Sequence, residues 1–346
     1  MGRLYDVVIA GAGPVGLYLA GLLEKEFNVL VLEADKMIGS PNHCSGLISK
    51  RLDGFVRVPE DCVEHEVSGC FLRSPSGIEA LLEKDGTAAY VLDREKFDRH
   101  MAGLVSSDIL TGRRLEGFSV RPDGVSVRTN KGVFRSQILA GCDGADSAVS
   151  RLAGNPPRKA LKGIMFIKDS DDFSPNVGLF FDKRFCRDGF LWKIPRGHGV
   201  EYGMMSSSAG FRTLEQFFGP AGKAARRRGG LIPMGRCRSA FDRVILAGDA
   251  AMQVKPWSGG GVVFGMTCAR FAAETISAAF EAGDFSGGVL AEYEKKCTGA
   301  VGRRISAGLF LRRVYCRMGN MEIDAAVGAA KLASPILKRL DMDFFL

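Results

Sequence analysis

The hydrophobic positions at the start of the chain follow the pattern of a buried strand, a turn and a helix. Residues 5–10 (YDVVIA) are rich in β-branched side chains, as a fully buried parallel strand requires. An apolar helical segment covers residues 17–23, and residues 28–32 (NVLVL) predict a second buried strand. Glycines and a proline interrupt this apolar stretch and no basic leader precedes it, so neither a membrane span nor a signal peptide is expected.

The turn between the first strand and the helix is Gly11-Ala12-Gly13-Pro14-Val15-Gly16. Gly11 permits a sharp turn, Gly13 lets the backbone approach a pyrophosphate at the positive end of the helix, and Gly16 allows close helix–strand packing. Glu33 ends the second strand about twenty residues later, where it can accept hydrogen bonds from a ribose. The whole unit predicts a Rossmann-type dinucleotide-binding domain in an α/β fold. No second motif of this kind occurs, so a separate nicotinamide domain is not expected.

Composition narrows the class of protein further. The 346 residues are 46% hydrophobic and 25% charged, which is typical of a globular protein of two or three domains. Nine cysteines without close pairs indicate reduced thiols in a cytosolic protein, and no Cys/His spacing predicts a metal site.

The net charge of +8 suits an anionic partner. Basic runs such as residues 226–228 and 303–304 are interpreted first as solvated faces, then as contacts to a membrane surface or a phosphate. Nucleic acid is not expected as a partner, because aromatic residues do not interleave with the basic ones.

Two later segments carry a resemblance to a known family. A buried strand at residues 244–247 ends in Gly248-Asp249, and residues 137–141 lead into Asp143-Gly144. Together with the first motif, these segments resemble the FAD-dependent superfamily that includes aromatic hydroxylases and geranylgeranyl reductases, over essentially the full chain.

That resemblance implies bound FAD. It places Asp249 on the FAD ribose, its loop beside the pyrophosphate, and Arg94 opposite the FAD phosphates. The glycines at residues 259–261 open a long apolar helix, whose positive end would favour the anionic reduced flavin. The residues expected to contact FAD are Gly11, Gly13, Pro14, Gly16, Glu33, Ala34, Cys44, Ser45, Gly46, Arg94, Asp143, Gly248, Asp249, Gly260 and Gly261.

Three motifs favour the geranylgeranyl reductase branch. Residues 40–46 (SPNHCSG) resemble its Pro-x-x-Cys-Gly-Gly loop, with Ser45 in place of the first glycine. Residues 190–197 (FLWKIPRG) resemble its Tyr-x-Trp-x-Phe-Pro-x-Gly motif, and residues 256–261 (PWSGGG) match its Pro-x-x-Gly-Gly-Gly pattern. The resemblance implies that reduced FAD saturates isoprenoid double bonds, most closely those of archaeal ether lipids.

The resemblance also implies residue roles. Cys44 is the candidate proton donor or gate beside the flavin, and the alternative is a small buried hydrophobe. His43 could tune Cys44 or bind a phosphate. The side chains expected to line the lipid tunnel, each of which could equally be a core position, are Phe190, Trp192, Pro195 and Trp257.

The expected architecture has three parts. A discontinuous FAD domain covers residues 1–72, 91–155 and 240–290, and an antiparallel-sheet substrate domain covers residues 73–90 and 156–239. Residues 291–346 form a small helical region. From residue 301 onward this region holds eight Lys/Arg and four Asp/Glu and ends in Phe-Phe-Leu, which predicts peripheral docking on an anionic inner membrane face. A plain domain-capping helix pair is the alternative.

Several alternatives stay open at the level of sequence. An NAD(P)H-dependent aromatic hydroxylase shares every FAD motif, but does not call for Cys44 or the Trp192 motif. A prenyl-lipid carrier of this fold without flavin is the non-enzymatic alternative. An electron-transfer flavoprotein that passes electrons to quinone lacks here the cysteine cluster of an iron–sulfur centre. The electron donor of a reductase could be NAD(P)H, a ferredoxin or an F420-type carrier.

Overall fold

Two large β-sheets dominate the protein, one of eight strands and one of seven, and a third sheet has three. A computed structural model describes residues 4–157, 159–222, 225–337 and 343 of the chain. An α/β layer precedes and follows an antiparallel sheet in the chain, and helices form the C-terminal part.

The eight-stranded sheet is parallel at its centre. Its strands run in the order β17-β18-β11-β1-β2-β8, with β10 and β9 continuing antiparallel from β11. Alternate residues of β1 enter two different apolar cores, which explains the unbroken hydrophobic run in the sequence. The strands are β1 (Leu4–Ala10), β2 (Val29–Leu32), β8 (Asp108–Leu110), β9 (Leu115–Arg121), β10 (Gly124–Thr129), β11 (Gly132–Gly141), β17 (Ala240–Phe241) and β18 (Val244–Leu246).

The seven-stranded sheet has the order β16-β12-β15-β14-β13-β5-β6 and is antiparallel except where β13 pairs with β5. The division expected at residue 73 runs through β5, and the hydrogen bonds to β13 and β6 carry this whole strand into the antiparallel layer. The strands are β5 (Gly69–Arg73), β6 (Glu79–Glu83), β12 (Ala160–Lys168), β13 (Asn176–Phe180), β14 (Phe190–Arg196), β15 (Gly199–Ser206) and β16 (Arg226–Pro233).

A small antiparallel sheet joins the two layers. Its order is β3-β7-β4, with strands β3 (Leu47–Ser49), β4 (Val63–Val67) and β7 (Ala89–Leu92). The loop that carries Cys44 leads directly into β3, and β7 leads into the helix that begins at Arg94. This sheet therefore fixes the two segments on either side of the candidate site.

Helices cover the parallel sheet and form the C-terminal end of the chain. Among the described residues, no helix is both long and apolar enough to cross a membrane. The predicted terminal Phe344, Phe345 and Leu346 lie outside the described residues. The helices are α1 (Pro14–Leu23), α2 (Arg94–Gly103), α3 (Ala148–Leu152), α4 (Phe211–Phe218), α5 (Val262–Ala282), α6 (Gly287–Cys297), α7 (Arg303–Arg317) and α8 (Asn320–Leu337).

Candidate functional site

The glycines of the first turn divide into two that pack and one that leaves space. Gly11 has φ of +105°, and a side chain there would meet the carbonyl oxygen of Cys142. A side chain at Gly16 would meet the carbonyl of Gly11. By contrast, nothing lies within 4 Å of the position that a Cβ would take at Gly13, the residue before Pro14 begins α1. Gly11 and Gly16 therefore pack tightly against backbone, whereas the space beside Gly13 is open, as the approach of a pyrophosphate to the backbone requires.

Glu33 stands where β2 ends and supports this turn. One carboxylate oxygen accepts the amide of Ala12 at 2.8 Å, and the other accepts the amide of Asp35 at 2.8 Å, across the intervening Ala34. Each carboxylate oxygen has a second lone pair, so a ribose hydroxyl can still donate to Glu33. The side chain therefore fits the predicted ribose contact and also holds the glycine turn in place.

The Gly248-Asp249 loop lies at the beginning of α5. Gly248 has φ of +68°, and its amide donates to Gln253 Oε1 at 2.8 Å. A side chain at Gly261 would overlap the Asp249 carboxylate, and one at Gly265 would come within 3.0 Å of the Gly248 Cα. The absence of side chains at these glycines lets the acidic loop sit directly on the N-terminus of α5.

Asp143 organises its own turn. Its carboxylate accepts the Ser147 hydroxyl at 2.5 Å and the Val149 amide at 3.0 Å, at the start of α3. Burial raises the pKa of Asp143, while these hydrogen bonds oppose the rise. The neighbouring Cys142 carbonyl lies against Gly11, so this segment adjoins the glycine turn of residues 11–16, called here the nucleotide turn.

The loop of residues 40–46, called here the Cys44 loop, is a compact turn. The Cys44 amide donates to Asn42 Oδ1 at 2.8 Å, and the Cys44 sulfur accepts the Gly46 amide at 3.4 Å. Gly46 has φ of +77°, and a side chain there would overlap the carbonyl of Leu92 on β7. The thiol is half-buried.

Arg94 lies beside that thiol. Its guanidinium donates two hydrogen bonds of 2.9 Å to the Asp98 carboxylate, one turn further along α2, and also interacts with Cys44. Burial alone would lower the pKa of Arg94, but Asp98 and Cys44 outweigh it and hold that pKa above its usual value. The structure thus brings Arg94 and Cys44 together, and the expected contact between Arg94 and the FAD phosphates stays a prediction.

Trp192 and Phe190 share one face of the antiparallel sheet. The Trp192 ring covers Gly203 on β15, where a side chain would overlap the indole, and its ring centroid is 6.1 Å from that of Phe190. The indole N–H donates to Glu201 Oε1 at 2.9 Å. Pro195 has the opposite parity in β14, so strand alternation places it on the other face, away from Trp192.

Arg196 joins this sheet face to the Cys44 loop. Its guanidinium donates to the Ser45 carbonyl at 2.7 Å and the Leu92 carbonyl at 3.3 Å. It also contacts the carboxylates of Glu64 and Glu201, each at 2.6 Å. Burial alone would lower the pKa of Arg196, but the two carboxylates hold it above its usual value.

A second contact joins the same loop to the edge strand of the sheet. His43 Nδ1 lies 2.7 Å from the Gly229 carbonyl of β16, and the His43 Cβ lies over Gly230. The imidazole therefore joins the Cys44 loop to the edge of the antiparallel sheet, and its expected role in tuning Cys44 or binding a phosphate stays a prediction.

Two carboxylates of this network were not predicted as site residues. Glu201 is fully buried, and burial raises its pKa against the opposing effect of Arg196. A single acid within the otherwise apolar strand GVEYGMMS was the available signal. Glu64 lies in β4, whose sequence VEHEV gives no comparable signal, because its charged residues resemble an exposed strand.

The loop before α5 contacts the C-terminal helices. Trp257 packs on Phe264 at 6.4 Å between ring centroids and lies against Gly308 of α7, where a side chain would come within 2.5 Å of the indole. Trp257 is thus placed beside α7 and not on the sheet face with Trp192. Lys255 in the same loop forms a buried 2.5 Å ion pair with Asp343.

Comparison with known proteins gives relatives over nearly the whole chain. Digeranylgeranylglycerophospholipid reductase 1 of Methanococcoides burtonii is 26% identical over 99% of this chain and 91% of its own length. An uncharacterized protein of Methanocaldococcus jannaschii is 30% identical over 98% of this chain and 92% of its own length. No family model matches the chain.

Solved structures agree on the fold. A geranylgeranyl bacteriochlorophyll reductase-like protein of Thermoplasma acidophilum has a TM-score of 0.87 at 23% identity, covering 95% of this chain and 92% of its own. The halogenase PltM, in complex with FAD, has a TM-score of 0.71 at 15% identity, covering 99% of this chain and 87% of its own.

The chain is similar over nearly its whole length to digeranylgeranylglycerophospholipid reductases. The resemblance inferred from its motifs is therefore confirmed, and so is the predicted fold class. Val15 of the turn at residues 11–16 lies against Gly248 and Gly265, so this turn, the Gly248-Asp249 loop and the N-terminus of α5 form one continuous cradle. The Cys44 loop and the Trp192 face of the sheet lie next to each other across Arg196.

Proposed function

We propose that this protein is an FAD-dependent reductase that saturates C=C bonds of geranylgeranyl chains, with ether lipids of the archaeal type as the substrate class. One observation carries the proposal: a single apolar sheet face contacts both loops expected to flank the flavin. Met205 Sδ lies 3.3 Å from the position of a Cβ on Gly259, in the loop before α5. Arg196 holds the Cys44 loop to the same sheet.

The cradle fits FAD. The open space at Gly13 would accommodate a pyrophosphate, the Glu33 carboxylate lies at the same turn, and the Asp249 carboxylate lies against Gly261 at the start of α5. Reduced FAD supplies hydride to one alkene carbon when it is bound, and a proton completes the other carbon. Because an isolated alkene has no carbonyl to polarise, the chain contributes chiefly by orienting the substrate and excluding water.

The substrate tail has a continuous apolar wall. Cross-strand pairs on this face place Phe190 beside Met205, and Trp192 beside Gly203 and then Met165. A twenty-carbon chain would gain up to about 16 kcal/mol at ~0.8 kcal/mol per buried carbon, before the costs of association and ordering. Apolar lining is therefore sufficient for affinity.

The Cys44 thiol is half-buried, and the Arg94 guanidinium lies beside it. We assign Cys44 as the proton donor or gate. Cys44→Ala should retain FAD and lower the rate of saturation, whereas an unchanged rate would remove Cys44 from the mechanism.

The decisive experiment is mass spectrometry of geranylgeranyl lipids incubated with the dithionite-reduced holoprotein. Successive additions of two hydrogens are expected, and chemical reduction makes the result independent of the natural electron donor. Oxygenated products or NADPH oxidation stimulated by phenols would instead favour a hydroxylase. A colourless purified protein that binds lipid without converting it would favour a carrier.

We further propose that α7 and α8 dock on an anionic membrane surface, where such a substrate resides. The exposed face of α7 combines Phe310 and Val314 with Arg303, Arg313 and Arg317. On α8 the exposed stripe consists of apolar side chains, with Met321, Leu332 and Ile336 exposed by 80%, 86% and 70%. Basic residues next to an exposed apolar stripe are typical of interfacial helices.

Co-sedimentation with vesicles tests this docking. Binding to vesicles of anionic lipid should fall with added salt and be lost in Leu332→Asp/Ile336→Asp. Leu104→Asp, which changes an exposed leucine directly after α2 and far from this surface in the sequence, is the control and should bind as the parent does. Binding that is insensitive to salt and to both sets of substitutions would leave these helices as a domain cap.

A further inference from the structure

A polar cavity opens at one end of the apolar sheet face. Its volume is about 260 Å³. Nine of its ten lining residues are polar or charged, and the Cys44 loop contributes one of them. The lining residues are Asn42, Glu64, Asp93, Glu95, Lys96, Ile167, Arg196, His198, Arg226 and Arg228.

Two arginines of the edge strand β16 point into this cavity because the strand alternates. Arg226 and Arg228 share the face of Gly230, which lies under His43 of the Cys44 loop. Arg227, between them, belongs to the opposite face, where it pairs with Glu215 at 2.8 Å. The run of three arginines is therefore divided, with two side chains turned to the cavity and one turned away.

The sheet face changes from apolar to charged along the strands. The row that crosses Gly230 continues to Met205 and Phe190, and the row that crosses Arg228 continues to Met165 and Trp192. The next row pairs Arg226 with Ile167 and ends at the cavity. Neighbouring rows on this face are two residues apart along the strand, and each residue advances about 3.4 Å. The two arginines are therefore close enough to the apolar rows for one lipid molecule to contact both.

Three carboxylates line the cavity, and two of them have hydrogen-bonding partners within the protein. Glu64 pairs with Arg196 at 2.6 Å, and Asp93 caps α2 by accepting the Lys96 amide at 3.1 Å. Glu95 is in the first turn of α2. Within the described part of the chain, no salt bridge joins a carboxylate to Arg226 or Arg228. Burial raises the pKa of Glu201, and the charge of Arg228 is among the effects that oppose this rise. Both arginines line the cavity, where their guanidinium groups can donate hydrogen bonds to an anion.

From this arrangement we propose that Arg226 and Arg228 form a phosphate subsite, which binds the phosphate ester headgroup of the prenyl substrate while its tail lies on the apolar rows. The proposal rests on the proposed function for the position of the tail, and deepens it by assigning the headgroup. Lys96 and His198 also line the cavity and can add further donors to the phosphate oxygens.

Equilibrium binding to the FAD-loaded protein tests the subsite without turnover. Geranylgeranyl monophosphate and the uncharged geranylgeraniol are the two ligands. Arg226→Gln/Arg228→Gln should weaken binding of the monophosphate by roughly a hundredfold, about tenfold for each lost charge-assisted contact, and leave geranylgeraniol unchanged. Arg227→Gln, which removes one positive charge from the opposite face of the same strand, is the control and should change neither affinity.

Three results would overturn the subsite. An equal loss in Arg227→Gln would indicate general electrostatic attraction. An equal loss for geranylgeraniol would mean that the arginines shape the tail pocket. Inorganic phosphate that binds through Arg226 and Arg228 without displacing the monophosphate would assign the site to a free anion.

Arginine-dependent binding without any saturation of double bonds would contradict the proposed reductase and keep the subsite.

Discussion

The Arg196 guanidinium donates to the Ser45 carbonyl oxygen over 2.7 Å, and this contact joins the antiparallel sheet to the Cys44 loop. Arg196 is only 1% exposed, and its other partners include the carboxylates of Glu64 and Glu201. One buried cation therefore pairs with two carboxylates and holds the loop against the sheet. The geometry of the candidate active site depends on a residue that need not touch substrate.

Arg196→Gln should destabilise the protein strongly. The substitution leaves Glu201 buried without its cation, and breaking a buried pair from one side costs about 3–5 kcal/mol. Urea unfolding at neutral pH measures this loss. Arg196→Gln/Glu201→Gln should recover part of it, because the uncompensated charge is then also removed.

Arg227→Gln on the other face of β16 provides the comparison, since its pair with Glu215 is solvent-exposed and should contribute little to stability. Equal effects of Arg196→Gln and Arg227→Gln on the free energy of unfolding would contradict the anchoring role.

Substitutions in the nucleotide turn can separate effects on the stability of the apoprotein from effects on FAD binding. Gly13 has φ of −78° and open space around it, so Gly13→Ala should leave the free energy of unfolding of the apoprotein unchanged within ~0.5 kcal/mol. The added methyl group occupies the space where the pyrophosphate approaches the backbone, so FAD affinity should fall at least tenfold. Calorimetric titration of the apoprotein with FAD measures this loss.

Gly11→Ala should behave in the opposite way. Its φ of +105° and the nearby Cys142 carbonyl make any side chain strained, so the apoprotein itself should lose stability. If Gly13→Ala and Gly11→Ala lowered apoprotein stability equally, the division of roles between these glycines would be wrong.

The central fold was predictable because its signals are local. Residues 5–16 and 28–33 contain a strand, a turn and a second strand whose roles follow from burial and glycine geometry alone. Strand β5 was harder to assign, since it continues in sequence from β4 of the small sheet. Its assignment to the antiparallel layer depends on pairing with β13, about a hundred residues later, and no local pattern encodes that pairing.

The site residues that lie in sequence motifs were predictable, whereas the contacts between side chains of different sheets were not. Cys44 and Trp192 were found from their motifs, but the link between them runs through Arg196 and Glu201. Pro195 was grouped with Trp192 although the two have opposite strand parity. Parity is visible in the sequence once the strand is assigned, whereas the Glu64 contact requires the folded structure.

Asp188 should make stability depend on pH through its link to the C-terminal helices. Its carboxylate accepts the Ser206 hydroxyl at 2.5 Å and lies 4.0 Å from the Arg312 guanidinium of α7. Burial alone would raise the pKa of Asp188, but the hydrogen bonds from Ser206 and Ser207 and the charge of Arg312 hold it below its usual value. Because the folded-state pKa is depressed, the stabilisation is present above the unfolded-state pKa and is lost as pH falls through the folded-state pKa.

Asp188→Asn should therefore lower the free energy of unfolding by ~1–2 kcal/mol at pH 7, and the difference from the parent should shrink below about pH 4. Chemical denaturation at several pH values measures it. Asp146→Asn, at an exposed pair with Arg151, is the control and should show little effect at any pH. A difference for Asp188→Asn that stayed constant down to pH 2 would contradict the assignment.

The contact between Trp192 and Gly203 should show strong energetic coupling. A side chain at Gly203 would overlap the indole, so Gly203→Ala should cost about 1–3 kcal/mol by overpacking. Trp192→Leu removes the ring and its hydrogen bond to Glu201, and should also destabilise. In the double variant the new methyl group meets no indole, so the combined loss should be smaller than the sum by 0.5 kcal/mol or more. Gly328→Ala, in a helical position with open space, should instead be neutral or stabilising by up to ~1 kcal/mol. Strict additivity in the cycle would mean that the indole does not cover Gly203 in solution, and the apolar wall proposed for the prenyl tail would have to be redrawn.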